Sequence, residues 1–561
     1  MIPLPTAAEM RSLDEDTIAK LGIPGGVLME SAGRGVVTVL HQLHRTTGID
    51  LAQAEILIVA GPGNNGGDGM VIARYLHEQG RRSELWVVVD RDRVRGDALL
   101  HLLAAEAAGV KAHFCDGTVT LLEERLASLR PEDLIIDALL GTGLQRSVTG
   151  GLAQVISSIN ASRAVTVSVD LPSGLDADRG VPSDATIEPC IVRADYTVTL
   201  AFPKLGLVGS PGFVFAGEIF LADIGIPDSL GPKHKVSAQL VDASVLAPLA
   251  VPRSALGHKG SHGHLLLIAG SQGKLGAALL STEAALRTGV GLCTLAVPEN
   301  ALDGSLGSRC PEAMTLPYAL TETALGSQLL PALSGKSALA VGPGLAPVPA
   351  IRELLLALLS HGGQPMVFDA EAINQLVDAE PHLLARARRG AKTVLTPHPG
   401  EAARLLGTTS AAIQADRVAA ARAIAEKTAA VIVLKGARTL VVEPPGFAQH
   451  ASEARLAVIP TGNPGMGSGG MGDVLTGMIA ALLAAGWATF DAACAAAYWH
   501  GLAGDLVSAR RAPGSIVLGT EVIAALDEAR SIAGRFATNH RPWPVVSLDW
   551  TQGRTGCAPK T

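Results

Sequence analysis

Short apolar runs, many of them closing on glycine or aspartate, recur along this chain of 561 residues, separated by stretches with helical spacing of apolar positions. In the first half the runs are EILIVAG (55–61), ELWVVVD (84–90), LIIDALLGTG (134–143), VTVSVDLPSG (165–174) and YTVTLAF (196–202). MVIARYLHEQG (70–80) and the stretch from Asp97 to Gly109 fall between them and read as helices. Strands alternating with helices predict a parallel, doubly wound sheet. Periodicity fades around 225–240, where Pro, Gly and Lys gather, and a domain boundary is expected there. The expected division is 1–228 and 229–536, with 537–561 a poorly ordered tail.

A second series follows with HLLLIAGS (264–271), GLCTLAVP (291–298), SALAVGPG (337–344), PMVFDA (365–370), KTVLTPHPGE (392–401) and AVIVLKG (430–436). It ends in TGNPGMGSGGMGDVLTG (461–477), which leads into a charge-free apolar run from Val474 to Phe490. Bare backbone N–H groups followed by a helix N-terminus suit an anion. A carboxylate in the first turn of that helix repels phosphate, so Asp473 reads either as a helix cap or as the base for a hydroxyl attacking phosphorus. The run itself predicts a buried helix, not a membrane span.

Composition narrows the classes. With 48% hydrophobic, 3% aromatic and 17% charged residues, and a mean hydropathy of +0.32, the chain has ample material for buried sheets. A net charge of −7 and a pI near 6.1 argue against a nucleic-acid surface. The 6 cysteines form no CxxC pair and read as free thiols in a reducing compartment. MIPLPTAAEMRSLDED has no signal-peptide pattern, so a cytoplasmic protein with no membrane partner is expected.

GPGNNGGDG (61–69) closes the first strand and opens a helix. Gly61, Gly63 and Gly66 match the dinucleotide fingerprint formally, with Asp90 where a ribose-binding acid would lie. Asn64, Asn65 and Asp68, however, add side chains where a dehydrogenase has mostly bare backbone. Asp68, Asp137 and Asp170 all fall at strand ends on one sheet edge, as helix caps or as a site. Asn65, Asp137 and the backbone of Pro172–Gly174 supply oxygens that a hard cation prefers.

GNNGGDG, DALLGTG and VDLPSGLDAD, preceded by IPGGVLMESAGR (23–34), resemble the NAD(P)H-hydrate epimerase family over about residues 5–225. The resemblance implies a Rossmann-like domain that interconverts the R and S forms of hydrated nicotinamide cofactor. It implies substrate contacts from Asn64, Asn65, Gly66, Gly67 and Asp68, and from Gly141, Thr142, Gly143, Leu144, Gln145, Arg146 and Ser147. It makes Asp170 the acid/base at the nicotinamide end and gives potassium to Asn65, Asp137 and Ser173.

Over about 232–535, HKGSHGHLLLIAGS, GPGL, TPHPGE, LKGART and the glycine loop resemble the ADP/ATP-dependent NAD(P)H-hydrate dehydratases of the ribokinase-like superfamily. That resemblance implies a ribokinase-like α/β domain that phosphorylates the substrate hydroxyl and then expels phosphate to restore NAD(P)H. Ala277, Gly342, His398 and Asp473 would contact the hydrate, with Asp473 catalytic. Lys435, Gly436, Ala437, Arg438, Thr439 and Gly472 would contact ADP, accompanied by magnesium. Glu401 is placed near magnesium by analogy with kinase glutamates. The expected assembly is a homo-oligomer. A vitamin or sugar kinase fused to a Rossmann-like binding domain is the alternative.

Overall fold

The computed structural model describes residues 1–115, 117–144, 146–184, 189–227, 230, 236–302, 308–320, 325–446, 454–536 and 545–547. The chain forms two compact units, one built from Ile2–Ala238 with the C-terminal Val545–Ser547, the other from Met1 and Gln239–Asn539. The expected boundary at 228/229 falls on residues outside the described set.

In the first unit, strands β1 (Glu55–Ala60), β2 (Arg82–Val87), β3 (Ala112–Phe114), β4 (Leu134–Ala138), β5 (Val165–Val169), β6 (Tyr196–Leu200) and β7 (Glu218–Ala222) form a parallel sheet in the order 3-2-1-4-5-6-7. Both faces of β1 are buried. Ile56, Ile58 and Ala60 face one core, Leu57 and Val59 the other. That is why the strand reads as an unbroken apolar run rather than an alternating one. Of the expected tail only Val545–Ser547 is described, and it pairs antiparallel with β7.

The second unit has strands β8 (His264–Ile268), β9 (Leu292–Pro298), β10 (Met314–Tyr318), β11 (Ala338–Val341), β12 (Met366–Phe368), β13 (Thr393–Leu395), β14 (Val431–Leu434), β15 (Leu440–Glu443) and β16 (Arg455–Val458). Their order is 16-15-14-13-12-11-8-9-10. Pairing is parallel from β10 to β14 and antiparallel from β14 to β16. The apolar run after the glycine loop is two helices, Met471–Ala484 and Thr489–Ala509, rather than one. Gly486, at φ 91, turns the chain between them, a conformation other residues adopt only with strain. Among the described residues no helix is long and apolar enough to cross a membrane.

Candidate functional sites

In the first unit strand order reverses between β1 and β4, and open α/β sheets bind ligands at the carboxyl ends of such a pair. GNNGGDG supplies the opening turns of helix α1 (Asn64–Glu78), not a free loop. The helix can begin that close to β1 because Gly66 has no side chain. A Cβ there would stand 1.8 Å from the Gly61 carbonyl oxygen. The geometry exposes Asn64 and buries Asn65, Gly66, Gly67 and Asp68.

Asn65 faces the loop after β4, and a Cβ on Gly141 would lie 3.6 Å from its Oδ1. Neither polar atom of the Asn65 amide has a hydrogen-bond partner in the structure, although both are buried. An orphaned buried amide costs about 1–3 kcal/mol, so this one needs a partner from outside the chain. Asp137, fully buried at the end of β4, accepts from Ser173 Oγ at 2.5 Å, Ser168 Oγ at 2.7 Å and the Ser173 N–H at 2.9 Å. Burial pushes its carboxyl up, while those bonds pull it down.

Thr142, Gly143, Leu144 and Arg146 continue the loop at the surface, Gln145 lies outside the described residues, and Ser147 donates its N–H (3.0 Å) and hydroxyl (2.8 Å) to Asp184. Asp170 follows β5 with φ 64, an uncommon backbone for a residue with a side chain. It is met by Lys204, whose ammonium donates to Asp170 Oδ1 and to the Leu200 carbonyl at 2.9 Å.

Two more carboxyls face this pair. Burial raises Asp68 well above the carboxylate range, and the neighbouring Asp170 charge adds to the effect. Asp14, from helix Ala7–Leu21, is pushed to about 6 by burial, against the pull of Lys204. Sequence reasoning missed Asp14 and Lys204. The only local signal for Lys204 is a lysine four residues beyond the end of an apolar strand.

In the second unit the order reverses between β8 and β11. The two loops that leave these strands are tied together. Gly270 N–H donates to the Pro343 carbonyl at 2.8 Å, and Ser271 Oγ to that of Gly344 at 2.7 Å. Beside them lies a cavity of about 440 Å³, lined by Lys274, Ala277, Gly344, Ala370, Glu371, Asn374, Glu401 and Asp473 among others. Ala277 and Asp473 thus share one cavity. Gly342 lies behind it, where a Cβ would stand 1.8 Å from the Asp369 carbonyl oxygen. His398 caps helix α2 (Pro399–Leu406) reciprocally with Glu401, its N–H donating to Glu401 Oε2 at 2.8 Å.

Asp473 stands in the first turn of helix α3 (Met471–Ala484). Burial first, and the nearby Asp369 charge second, raise it to about 6, while Lys435 pulls the other way. Burial likewise carries Glu401 to about 7. Lys435 is raised despite its burial, because Asp369 and then Glu401 favour the ammonium. Gly472 packs against that ammonium, since a Cβ on it would lie 3.1 Å from Nζ. Gly436 lies against Arg417, Arg438 donates to the Pro460 carbonyl, and Thr439 Oγ1 donates to that of Gly436 at 3.0 Å.

Comparison with known proteins agrees with this division. Residues 25–206 match the family described as YjeF-related protein N-terminus, and residues 265–526 match NAD(P)H-hydrate dehydratase. The chain is 41% identical to the bifunctional NAD(P)H-hydrate repair enzyme Nnr of Moorella thermoacetica, over 92% of this chain and 94% of that one. It is 35% identical to the Nnr of Escherichia coli, over 81% of each. A crystal structure of the ADP/ATP-dependent NAD(P)H-hydrate dehydratase from Bacillus subtilis, co-crystallised with ATP and magnesium, aligns at 26% identity and TM-score 0.42, covering 52% of this chain and 98% of that one. This chain belongs to the family of bifunctional NAD(P)H-hydrate repair enzymes and carries both of its enzymatic halves.

Proposed function

We propose that the first unit interconverts the R and S forms of NAD(P)H hydrate, and that the second dehydrates the S form with ADP as phosphoryl donor. The observation that carries the second half is Asp473. It is a carboxylate raised to about 6, in the first turn of a helix behind a glycine loop, lining the same cavity as Ala277. A base of that strength is ionised at neutral pH yet still takes up a proton readily.

Asp473 accepts the proton of the hydroxyl on the hydrated ring. The freed oxygen bonds to the terminal phosphorus of ADP, and the bond to AMP breaks. The ring nitrogen's lone pair then expels phosphate from the carbon that bore the hydroxyl. Loss of a proton from the adjacent carbon restores the double bond of NAD(P)H. Hydroxide would leave poorly, which is why a phosphoryl group is spent. Ala277, Gly342 and His398 position the hydrate, while Lys435 to Thr439 and Gly472 take the nucleotide. Glu371 and Glu401 on the cavity wall would offer carboxylate oxygens to a magnesium ion entering with ADP, which would neutralise phosphate charge.

In the first unit Asp170 serves as acid/base. Asn64 to Asp68 and Gly141 to Ser147 hold the substrate. The orphaned Asn65 Oδ1, with Asp137 and Ser173, would hold potassium, which would supply a fixed positive charge there. The free thiols support a cytoplasmic location, and a homo-oligomer is part of the same reading.

The test is a mixture of hydrate epimers incubated with ADP, followed by nicotinamide absorbance and free phosphate. Wild type consumes both epimers. Asp473→Asn binds ADP but loses dehydration by about 10²–10⁴-fold. A stable phosphorylated product without regained absorbance would replace this reading with a small-molecule kinase.

A further inference from the structure

Asp369 follows β12 and is 1% exposed, and its two carboxylate oxygens serve different partners. Oδ1 accepts from Lys435 Nζ at 2.6 Å and from Thr396 Oγ1 at 2.8 Å. Oδ2 accepts from Thr476 Oγ1 at 2.9 Å. Thr476 lies on α3, one turn beyond Asp473, so one carboxylate grips both the ammonium and the helix that carries the base. Gly472 closes the group, since a Cβ there would lie 3.1 Å from Lys435 Nζ and 3.5 Å from Asp369 Oδ2. The next residue, Ala370, has φ 49 and lines the cavity. Such strain persists only where surrounding contacts hold it.

Lys435 has other acids in reach. Glu401 Oε2 lies 3.9 Å from its Nζ, and the charge of Lys435 is also felt at Asp473. An ammonium bound directly to Asp473 would hold that carboxylate as a counterion and weaken it as a base. We infer that Asp369 is a positioning residue for phosphoryl transfer, holding the Lys435 ammonium away from Asp473 and fixing the helical turn from which Asp473 reaches the hydroxyl. This rests on Asp473 being the base.

The experiment is steady-state dehydration of the S hydrate by the full chain across the acid limb near pH 6, with ADP binding measured alongside. Groups facing Asp473 in that range are Asp369 and Lys435, with Lys274, Glu371 and Glu401 on the cavity wall. Asp369→Asn should lower kcat by about 10²-fold, the cost of a base misplaced by about 1 Å. The fall in kcat should exceed any rise in KM for ADP, and the acid limb should move to lower pH as Lys435 turns to Asp473. Thr476→Val should lower kcat with the limb unmoved, because Lys435 keeps its partner.

Wild-type kcat in Asp369→Asn, or a loss with an unmoved limb, would overturn the inference. Should Asp369→Asn lose ADP binding, Thr476→Val decides, and an unchanged kcat there overturns it equally. Asp473→Asn separates the two claims. If it keeps full activity the base assignment falls. If it is inactive while Asp369→Asn is normal, only the role of Asp369 falls.

Discussion

Lys204 donates its ammonium proton to Asp170 where water barely reaches, the two side chains being 1% and 12% exposed. The same ammonium is felt by Asp14 and Asp68, so one cation serves three carboxyl groups. Removing one partner of a buried pair strands the other, at a cost of about 3–5 kcal/mol. Lys204→Met is therefore expected to abolish epimerisation and destabilise the first unit, while dehydration of the S epimer continues. Lys204→Met combined with Asp170→Asn should recover most of the stability and none of the epimerisation. Denaturant unfolding and an epimer-resolved assay measure both. A single variant with full epimerisation would remove Lys204 from the site.

Dehydration should respond to pH through Asp473. Its carboxyl sits at about 6, and only the ionised form accepts a proton. The rate with ADP is therefore expected to climb as pH rises through 6 and then level off. In Asp473→Asn the residual rate should lose that limb. A limb that survives the substitution would belong to another group, Glu401 at about 7 being the nearest candidate.

Gly477 marks where α3 meets the helix Leu275–Thr288, which carries Ala277. A Cβ at position 477 would stand 2.1 Å from the Ser281 carbonyl oxygen, and Ser281 Oγ in turn donates to the Asp473 carbonyl at 2.9 Å. Gly477→Ala must push the helices apart, at about 1–3 kcal/mol. Dehydration is expected to fall while epimerisation stays at its wild-type rate. Equal losses in both activities would instead mean that the two units fail together.

Potassium is expected to matter to one activity only. Exchange into tetramethylammonium buffer should slow epimerisation and leave dehydration unchanged. Asn65→Leu, which removes the orphaned amide, should epimerise slowly and no longer respond to potassium. A potassium response surviving in Asn65→Leu would place the ion elsewhere.

Much of this was legible in the sequence for a physical reason. Strands buried on both faces, such as Ile56–Ala60 and Leu265–Ile268, must be continuous apolar runs, and sharp turns at their ends demand glycine. Met314–Tyr318 escaped because it is mostly exposed, and its alternation is interrupted by Pro317. The antiparallel strands Leu440–Glu443 and Arg455–Val458 escaped because they are short and flank no helix of their own. The catalytic candidates at strand ends were found, whereas their partners were not. Thr476 reads as a core residue and Lys204 as a loop lysine. Only tertiary packing brings each to its carboxylate.

The left-handed backbone of Asp170 bears on how its chemistry can be probed. Asparagine tolerates that conformation nearly as well as aspartate, whereas alanine resists it. Alanine scanning would thus record a conformational penalty of about 1–2 kcal/mol together with the loss of a carboxylate, and could not apportion them. Asparagine alters one variable. A glycine companion would relieve the backbone while removing the side chain, so the trio reports how much of the pocket's preorganisation is stored in the main chain.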